Sequence, residues 1–455
     1  MSLRVLQYSD VENACDDPER IGRLAGTIRA RRDDGTVVVG TGDNTAPGVL
    51  PLVTDGTQAL EFYEAIEPDV ATFGNHDFDF GPDATLEIVE RSPQTWLSAN
   101  VRQNGGAFGA DVGVEPWTVL DCAGVRAGFT GVTTQRIASQ NPMATDLTIR
   151  DPIPAVREAI AELRARDVDV VVVCSHLGRG DDELARRTDA DVVLGGHVPS
   201  TRLETVDGTL LTRPGDGGRA VVEVTLTAGD EPSAALHSTR EFARAPDVVD
   251  AFERLTAAAG LDEVVAHVDA PIERTEATLF GGESRVGNVV ADAYRWKTGA
   301  DVALQNSGGI RSGPPLEDEV TVADLISLVP FDEPLGVAAV SGARLEAIVD
   351  DAAGIDLGFA EPDWWHAHVS GAILEWDETT HDVTIREVGG EPFDPDATYH
   401  LATSNYLFAT TDEFGTLEPE DRVRTLSEPQ FDVILEYARA HDIDPMITGR
   451  IRRIN

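Results

Sequence analysis

The sequence predicts a layered α/β protein in which a larger α/β domain is followed by a smaller one. In the first half, short apolar runs typical of buried strands alternate with amphipathic helical stretches and polar turns. This alternation breaks near residues 226–262, and a second α/β segment follows. The length of 455 residues also exceeds a single domain, since domains average roughly 150 residues.

The elements of the first half follow from apolar spacing, taken in chain order. The run VLQY is a strand, and a helix is predicted at about residues 20–32. The run TVVVG is a second strand, ALEFYEAI a helix, and DVATF a third strand. A helix predicted over 152–166 begins at a proline, which suits a first helical turn, and it leads into the strand DVVVVCS. The helix DDELARRT and the strand DVVLG continue the alternation.

The domain boundary is placed where this alternation stops. The stretch TAGDEPSAAL interrupts the pattern, and PDVVDAFERL indicates a helix. We therefore predict a first domain over 1–240, a linker helix over 241–262 and a second domain over 263–455.

Composition excludes several classes of function. The chain has 36 Lys and Arg against 80 Asp and Glu, which gives a net charge of −44. Such a surface repels nucleic acid polymers and anionic membranes, and no run approaches the roughly 18 apolar residues of a membrane span. The acid-rich, lysine-poor composition resembles that of proteins from salt-accumulating halophiles, because molar salt screens the self-repulsion.

The cysteines and the N-terminal residues indicate the cellular compartment of the protein. Three cysteines, far apart in the sequence, fit neither a disulfide framework nor a zinc finger. The opening residues MSLRVLQYSD do not have the pattern of a signal peptide. The expected location is therefore cytoplasmic.

Polar residues recur directly after the apolar runs of the first half. In layered α/β folds, ligands bind beyond the carboxyl ends of the strands. Carboxylate and amide oxygens together with imidazole nitrogens suit divalent ions such as Mn, Zn, Fe or Co. The residues in these positions are Asp10, Asp43, Asn75, His176 and His197.

The order and the flanking glycines of these residues resemble the calcineurin-like metallophosphoesterases. The most specific element is Gly-Asn-His-Asp-Phe, followed by Asp79. The resemblance implies an αββα domain with two divalent ions that share one ligand. The motifs are Gly42-Asp43-Asn44, Gly74-Asn75-His76-Asp77, Ser175-His176 and Gly195-Gly196-His197.

The resemblance also implies a role for each residue. Asp43 bridges the two ions, Asp10 joins it at the first ion, and His76 stabilises the phosphate or acts as an acid, oriented by Asp79. The ligands implied for the second ion, besides the bridging carboxylate, are Asn75, His176 and His197.

Two departures from the family pattern fall on the first ion. The family's Asp-x-His is Asp10-Val11-Glu12 here, and Pro199 stands where the family has His or Gln. Glu12 is then either a third carboxylate ligand or a solvated surface acid. Oxygen-only ligands favour Mn or Mg over Zn at this position, so we expect two divalent ions, preferably Mn, with Zn, Fe, Co or Mg as alternatives.

Three short motifs, VGNVV, NSGGIR and VPF, follow one another in the second half. Their residues and their order resemble the C-terminal domain of the 5′-nucleotidase family. The resemblance implies that Asn306 and Arg311 belong to the phosphate-binding motif, and that Phe331 and Tyr406 stack on the base.

Two further contacts are predicted in this domain. By resemblance Asp412 binds the ribose hydroxyls. Arg285 is predicted as a second phosphate contact because it lies close to the Gly-Asn motif. The second domain is therefore expected to be the substrate-binding domain.

The function implied is metal-dependent hydrolysis of nucleoside 5′-monophosphates by in-line attack of hydroxide. A 2′,3′-cyclic nucleotide phosphodiesterase or a nucleotide-sugar pyrophosphatase on the same fold stays an alternative. A catalytically weak nucleotide-binding protein is a second alternative. The expected partner is a small-molecule nucleotide; the oligomeric state is not predicted.

Overall fold

The chain forms two compact units, Met1–Ala259 and Gly260–Asn455. The computed structural model describes residues 2–137, 141–353, 364–410, 413–441, 443 and 445–454. Among these residues, no helix combines the length and the apolar character that a membrane crossing requires.

The first unit contains two six-stranded sheets and a small three-stranded one. Its strands are β1 (Leu3–Tyr8), β2 (Thr36–Thr41), β3 (Val70–Thr72), β4 (Thr95–Leu97), β5 (Val101–Gln103), β6 (Gly106–Ala107), β7 (Trp117–Cys122), β8 (Val125–Thr133), β9 (Leu147–Ile149), β10 (Val170–His176), β11 (Val192–Leu194), β12 (Arg202–Val206), β13 (Thr209–Arg213), β14 (Ala220–Leu226) and β15 (Ser233–Ser238). Its helices are α1 (Pro18–Arg31), α2 (Val49–Thr54), α3 (Ala59–Ile66), α4 (Gly81–Arg91), α5 (Pro152–Arg164), α6 (Asp181–Arg187) and α7 (Pro246–Ala258).

The strand order explains where the core lies. One sheet runs β15-β14-β1-β2-β3-β4 and the other β12-β13-β11-β10-β8-β7, with parallel strands at the centre of both. Val39 of the first sheet and Phe129, Val172 and Val192 of the second belong to one buried apolar cluster. Parallel strands covered on both faces need continuous apolar runs, which is why every residue of β10 is buried.

Helices cover the outer faces of this sandwich. Helix α5 places Val156 and Leu163 in a cluster with Val171 and Val173 of the second sheet. The layered αββα prediction for the first domain is thereby confirmed.

Helix α7, which the sequence suggested as a linker, packs within the first unit. Val248 and Phe252 are buried, the Ala245 N–H donates to the Gly22 carbonyl of α1 at 2.8 Å, and Asp247 pairs with Arg29 at 2.7 Å. The apolar face of this helix accounts for its place there, since burial removes that face from water.

The second unit is also a mixed α/β structure. Its strands are β16 (Val264–Arg274), β17 (Val302–Asn306), β18 (Gly313–Thr321), β19 (Pro334–Ser341), β20 (Ala367–Ser370), β21 (Ala372–Asp377), β22 (Val383–Val388), β23 (Glu391–Pro392), β24 (Thr398–Ser404), β25 (Arg422–Pro429) and β26 (Ile451–Ile454). Its helices are α8 (Glu276–Leu279), α9 (Arg285–Thr298), α10 (Val322–Ile326), α11 (Gly342–Asp350) and α12 (Gln430–Ala440). The main sheets run β20-β17-β24-β19-β25 and β23-β22-β21-β26.

Candidate metal centre and substrate site

The polar residues singled out in the first half meet at one edge of the sandwich. Asp10 follows β1, Asp43 follows β2, Asn75 follows β3, His176 ends β10 and His197 follows β11. These strands are parallel within their sheets, so their carboxyl ends share an edge.

Asp43, His176 and His197 form one group of ligand atoms that lie within 4.8 Å of one another. The Thr41 carbonyl lies 2.8 Å from His176 Nδ1, and Asp43 Oδ2 lies 2.8 Å from His176 Nε2. The carbonyl requires the proton on Nδ1, which leaves Nε2 as the ligand atom. Burial lowers the pKa of His197 to about 4, so this imidazole is neutral, as ligation requires. Burial opposes the charge of His176 too, but the Asp43 carboxylate outweighs it and raises the pKa of His176 to about 10, so an ion bound at Nε2 would displace a proton.

Asp10, Glu12 and Asp43 form a second group within 4.8 Å. Asp43 therefore belongs to both groups, which is the arrangement that two ions with a shared ligand need. Glu12 lies with the other two carboxylates and is only partly exposed, as the ligand hypothesis for this residue expects.

The electrostatics of these carboxylates fit divalent ions. Burial, reinforced by the charge of Asp43, raises the pKa of Asp10 to about 7. Burial and the charges of Asp10 and Asp43 raise the pKa of Glu12 to about 8. Desolvated carboxylates held together disfavour one another's charge, and a cation reverses that effect.

A buried oxygen supplies a further test of the fit. Asn75 Oδ1 is buried and has no hydrogen-bond partner among the described residues. A buried polar atom without a partner is costly, and a metal ion would satisfy it. The donor set of Asp10, Glu12, Asp43, Asn75 and the two histidines therefore fits divalent ions.

Four residues of the centre adopt left-handed backbone conformations. The φ angles are 48° at Asp10, 48° at Glu12, 51° at Asp43 and 71° at His197. Such angles are unfavourable for side-chain-bearing residues and persist where the surrounding structure holds them. Their concentration here indicates that the loops are shaped to aim these side chains.

Two glycines let the loops approach each other. A Cβ at Gly74 would lie 2.1 Å from Asp43 Oδ1, and a Cβ at Gly42 would lie 2.5 Å from His176 Nδ1. Only glycine fits at these positions. The flanking glycines of the motifs are thus a consequence of close loop packing.

Asp77, to which the sequence analysis assigned no role of its own, holds both loops together. Its Oδ2 accepts from the main-chain N–H groups of Asp43 and Gly74 at 2.9 and 2.8 Å. Its Oδ1 accepts from the N–H groups of Asn44 and Thr45, both at 3.1 Å, and from Thr45 Oγ1 at 2.8 Å. The sequence signal that could have identified this role was the acidic residue in the motif Gly74-Asn75-His76-Asp77, which lies between two strands.

His76 forms the predicted pair with Asp79, and the structure adds a third member. His76 Nδ1 lies 2.8 Å from Asp79 Oδ2, and Asn141 Nδ2 donates to Asp79 Oδ1 at 3.1 Å. Burial by itself lowers the pKa of His76, but the hydrogen bond to Asp79 and the charge of Asp43 outweigh it and raise the pKa to about 9. Asn141 lies far from Asp79 in the sequence, and no local motif identified it.

In the second unit, one sheet edge gathers most of the predicted substrate residues. Asn306 ends β17, Arg311 follows it, Phe331 precedes β19 and Tyr406 follows β24. Strands β17 and β24 are parallel, and Leu335 of β19 pairs with Ser404 of β24. The segments that carry these residues therefore leave the sheet at the same edge.

Three of these predicted substrate residues make defined contacts with neighbouring side chains. The Arg311 guanidinium lies over the Phe331 ring, with Cζ 4.8 Å from the ring centroid. Asn306 Nδ2 donates to Glu413 Oε2 at 3.0 Å. Tyr406 is 38% exposed, and its main-chain N–H donates to the Glu333 carboxylate.

Substrate binding remains a prediction for all six residues, including Arg285 and Asp412. The Arg285 guanidinium donates to the carbonyls of Ala270 and Pro271 at 3.1 and 2.8 Å and to that of Pro445 at 3.1 Å. A phosphate contact from Arg285 would have to replace some of these bonds. Asp412 lies outside the described residues.

Comparison with known families identifies both units. The calcineurin-like phosphoesterase family matches residues 3–200, and the 5′-nucleotidase C-terminal domain matches residues 264–419. The chain belongs to the 5′-nucleotidase family of calcineurin-like phosphoesterases. Members of this family are phosphoric ester hydrolases with a dinuclear divalent metal site, and this chain carries the ligand groups for such a site.

Individual relatives are distant. Endonuclease YhcR of Bacillus subtilis (strain 168) is 27% identical over 468 residues, covering 90% of this chain and 37% of that protein. The trifunctional nucleotide phosphoesterase YfkN of the same organism is 22% identical over 518 residues, covering 99% of this chain and 35% of that protein. This family member thus spans little more than a third of either relative. The structure of a 5′-nucleotidase precursor from Thermus thermophilus shares the fold, with a TM-score of 0.74 and 22% identity over all of both chains.

Proposed function

We propose that the chain hydrolyses nucleoside 5′-monophosphates to nucleoside and phosphate. The observation that carries the proposal is Asp43, whose carboxylate belongs to both ligand groups of the phosphoesterase unit. The second unit supports the nucleotide as substrate, because one sheet edge combines the Arg311 guanidinium with the half-buried Phe331 ring and the exposed Tyr406 side chain.

Asp10, Glu12 and Asp43 would hold one divalent ion, and Asp43, Asn75, His176 and His197 the other. When bound, such ions activate water for in-line attack and neutralise charge that develops on the phosphate. The oxygen-only ligands of the first group favour Mn²⁺ or Mg²⁺ there, and we propose Mn²⁺.

The chain's own groups supply the remaining chemistry. His76, with its raised pKa, stays protonated at neutral pH and can donate a hydrogen bond to the phosphate or a proton to the leaving oxygen. Asp79 accepts from Nδ1 of His76 and thereby directs Nε2 outward. In the second unit, Arg311 would bind phosphate oxygens, while Phe331 and Tyr406 stack on the base.

A different ester on the same site is the second candidate. One relative is named a trifunctional nucleotide phosphoesterase, and this name indicates that a related protein acts on more than one nucleotide ester. The other esters that we consider are 2′,3′-cyclic nucleotides and nucleotide sugars. The products separate the two functions, because a monophosphatase releases inorganic phosphate and a diesterase or pyrophosphatase releases a nucleoside monophosphate. A catalytically weak nucleotide-binding protein is the third candidate. The cytoplasmic location and the adaptation to high salt stay predictions.

The test is phosphate release from nucleoside 5′-monophosphates, cyclic nucleotides and nucleotide sugars in molar KCl with Mn²⁺. Asp43→Ala serves as the blank, and Asp83→Ala, an exposed residue of α4, as the matched control. The proposal is supported if the native chain and Asp83→Ala release phosphate from monophosphates and Asp43→Ala does not. Cleavage of only cyclic nucleotides or nucleotide sugars would favour the second candidate function instead. Nucleotide binding without any turnover would favour the third candidate, a nucleotide-binding protein.

A further inference from the structure

A buried glutamine of β1 bonds to both sheets of the first unit. Gln7 has no exposed surface, and its amide nitrogen donates to the Gly195 carbonyl at 2.8 Å and to Thr41 Oγ1 at 3.1 Å. Its amide oxygen accepts from Thr212 Oγ1 at 2.6 Å. Gly195 follows β11 and Thr212 lies in β13, both in the second sheet, whereas Thr41 ends β2 in the first. The three hydrogen bonds of this one side chain therefore link the two sheets.

The two ligand groups differ in the sheets that supply them. Asp10, Glu12 and Asp43, the carboxylate group, all follow β1 or β2 of the first sheet. The histidine-containing group combines Asp43 with His176 and His197, which lie at the ends of β10 and β11 in the second sheet. The relative position of the two sheets therefore sets the geometry of the histidine-containing group, whereas the carboxylate group depends on the first sheet alone.

The bonds of the glutamine reach the segments that carry the histidine-containing group. Thr41 stands two residues before Asp43, and its carbonyl lies 2.8 Å from His176 Nδ1. Gly195 stands two residues before His197, and its carbonyl is the one that accepts from the glutamine amide. A displacement of that amide would therefore move the main chain on both sides of the group.

This alignment requires bonds that have a direction. The apolar cluster between the sheets removes surface from water, and that effect has no preferred direction. A hydrogen bond, by contrast, weakens steeply away from its optimal geometry, so an amide bonded at both of its ends resists sliding of one sheet along the other. We propose that Gln7 is a positioning residue that aligns Asp43 with the two histidines and thereby sets the affinity of the histidine-containing group for a divalent ion. This role rests on the metal centre of the proposed function.

The test titrates the full chain with Mn²⁺ and records electron paramagnetic resonance spectra. The signal of free Mn²⁺ gives the affinity of each binding step, and magnetic coupling between neighbouring ions shows that both groups are loaded. Gln7→Met keeps the length of the side chain and removes its amide. Thr212→Val keeps the shape of the side chain and removes the hydroxyl that donates to Gln7.

Two further variants are needed to interpret the titration. His197→Ala removes a ligand and so identifies the binding step of the histidine-containing group. Gln430→Met is the matched control, because Gln430 is also a buried glutamine, and its side chain accepts from the Tyr294 hydroxyl at 2.6 Å in the second unit. Thermal unfolding without Mn²⁺ checks that each variant is folded. If Gln7→Met does not fold, Thr212→Val decides the question in the same way.

For Gln7→Met we expect about 10- to 100-fold weaker binding at the step that His197→Ala removes, since partners that orient metal ligands have effects of that size. The other step should keep its native affinity, and magnetic coupling should appear only at correspondingly higher Mn²⁺ concentration. Thr212→Val should change the same step by a smaller factor, because it removes one of the three bonds. Gln430→Met should match the native chain at both steps, even where its unfolding temperature falls.

Native affinity at the histidine-containing group in Gln7→Met would overturn the proposal. An equal loss at both steps would overturn it as well, because it would indicate general loosening of the unit, and so would a native chain that binds a single Mn²⁺. Metal binding is measured without a nucleotide. If the titration gives the expected result and nucleotides are not hydrolysed, the proposed function fails and the role of Gln7 stands; if nucleotides are hydrolysed and Gln7→Met binds Mn²⁺ like the native chain, the reverse holds.

Discussion

Replacing Asp77 with Asn should destabilise the chain because the Asp77 carboxylate accepts five hydrogen bonds from two motif loops. Oδ2 accepts from the N–H groups of Asp43 and Gly74, and Oδ1 from those of Asn44 and Thr45. Whichever oxygen becomes the amide NH₂, two buried N–H groups then face a donor. At about 1.5–3 kcal/mol for each bond to a charged acceptor, the free energy of unfolding should fall by about 3–6 kcal/mol. That is a large share of the roughly 5–15 kcal/mol of a typical domain.

Urea unfolding of the native chain, Asp77→Asn and Asp83→Asn measures this difference. Asp83 is exposed on α4, so its amide variant should unfold at the native midpoint and control for the loss of one negative charge. Mn²⁺ titration of the same three proteins reports on the placement of Asp43 and should show weaker binding only in Asp77→Asn. Equal midpoints and equal Mn²⁺ affinities in all three proteins would refute the reasoning.

Three further outcomes are expected. Glu12→Gln should weaken Mn²⁺ binding by at least about 10- to 100-fold, since even indirect partners of metal ligands have effects of that size; calorimetry against the exposed control Glu90→Gln tests this, and equal affinities would make Glu12 a surface acid. Phe331→Ala should raise KM for nucleotides about 5- to 100-fold through lost stacking and leave p-nitrophenyl phosphate unaffected, whereas equal effects on both substrates would contradict base stacking. The urea midpoint of the native chain should rise with KCl up to molar concentrations, because screening relieves the net charge of −44; a midpoint that falls or stays constant would oppose the salt-adapted interpretation.

Local sequence was sufficient for the fold class and for naming Asp10, Asp43, His176 and His197, which the structure groups as candidate metal ligands. Strands buried on both faces need continuous apolar residues, so β10 is visible in the run VVVVCSH. Ligands at strand ends must be followed by tight loops, so the glycines beside Asp43 and Asn75 mark them. Both signals are carried by neighbours in the chain.

The contacts of the candidate site residues could be seen only in the folded chain. The sequence could not show that Glu12 lies beside Asp10 and Asp43; the ends of β1 and β2 place it there. Asn141 reaches the His76–Asp79 pair through a contact between distant segments. Helix α7 looked like a linker because its partner, α1, lies near the opposite end of the first unit's sequence.

The sequence by itself determined the class of fold, the family and the set of groups able to bind divalent ions, because apolar periodicity and short motifs encode these locally. Only the tertiary structure decided that one carboxylate, Asp43, belongs to two ligand groups, that Asp77 holds their loops, and that the guanidinium of Arg285 is bonded to main-chain carbonyls. These facts are distances between residues far apart in the chain, and packing the two sheets against each other is what sets the distances within the metal centre.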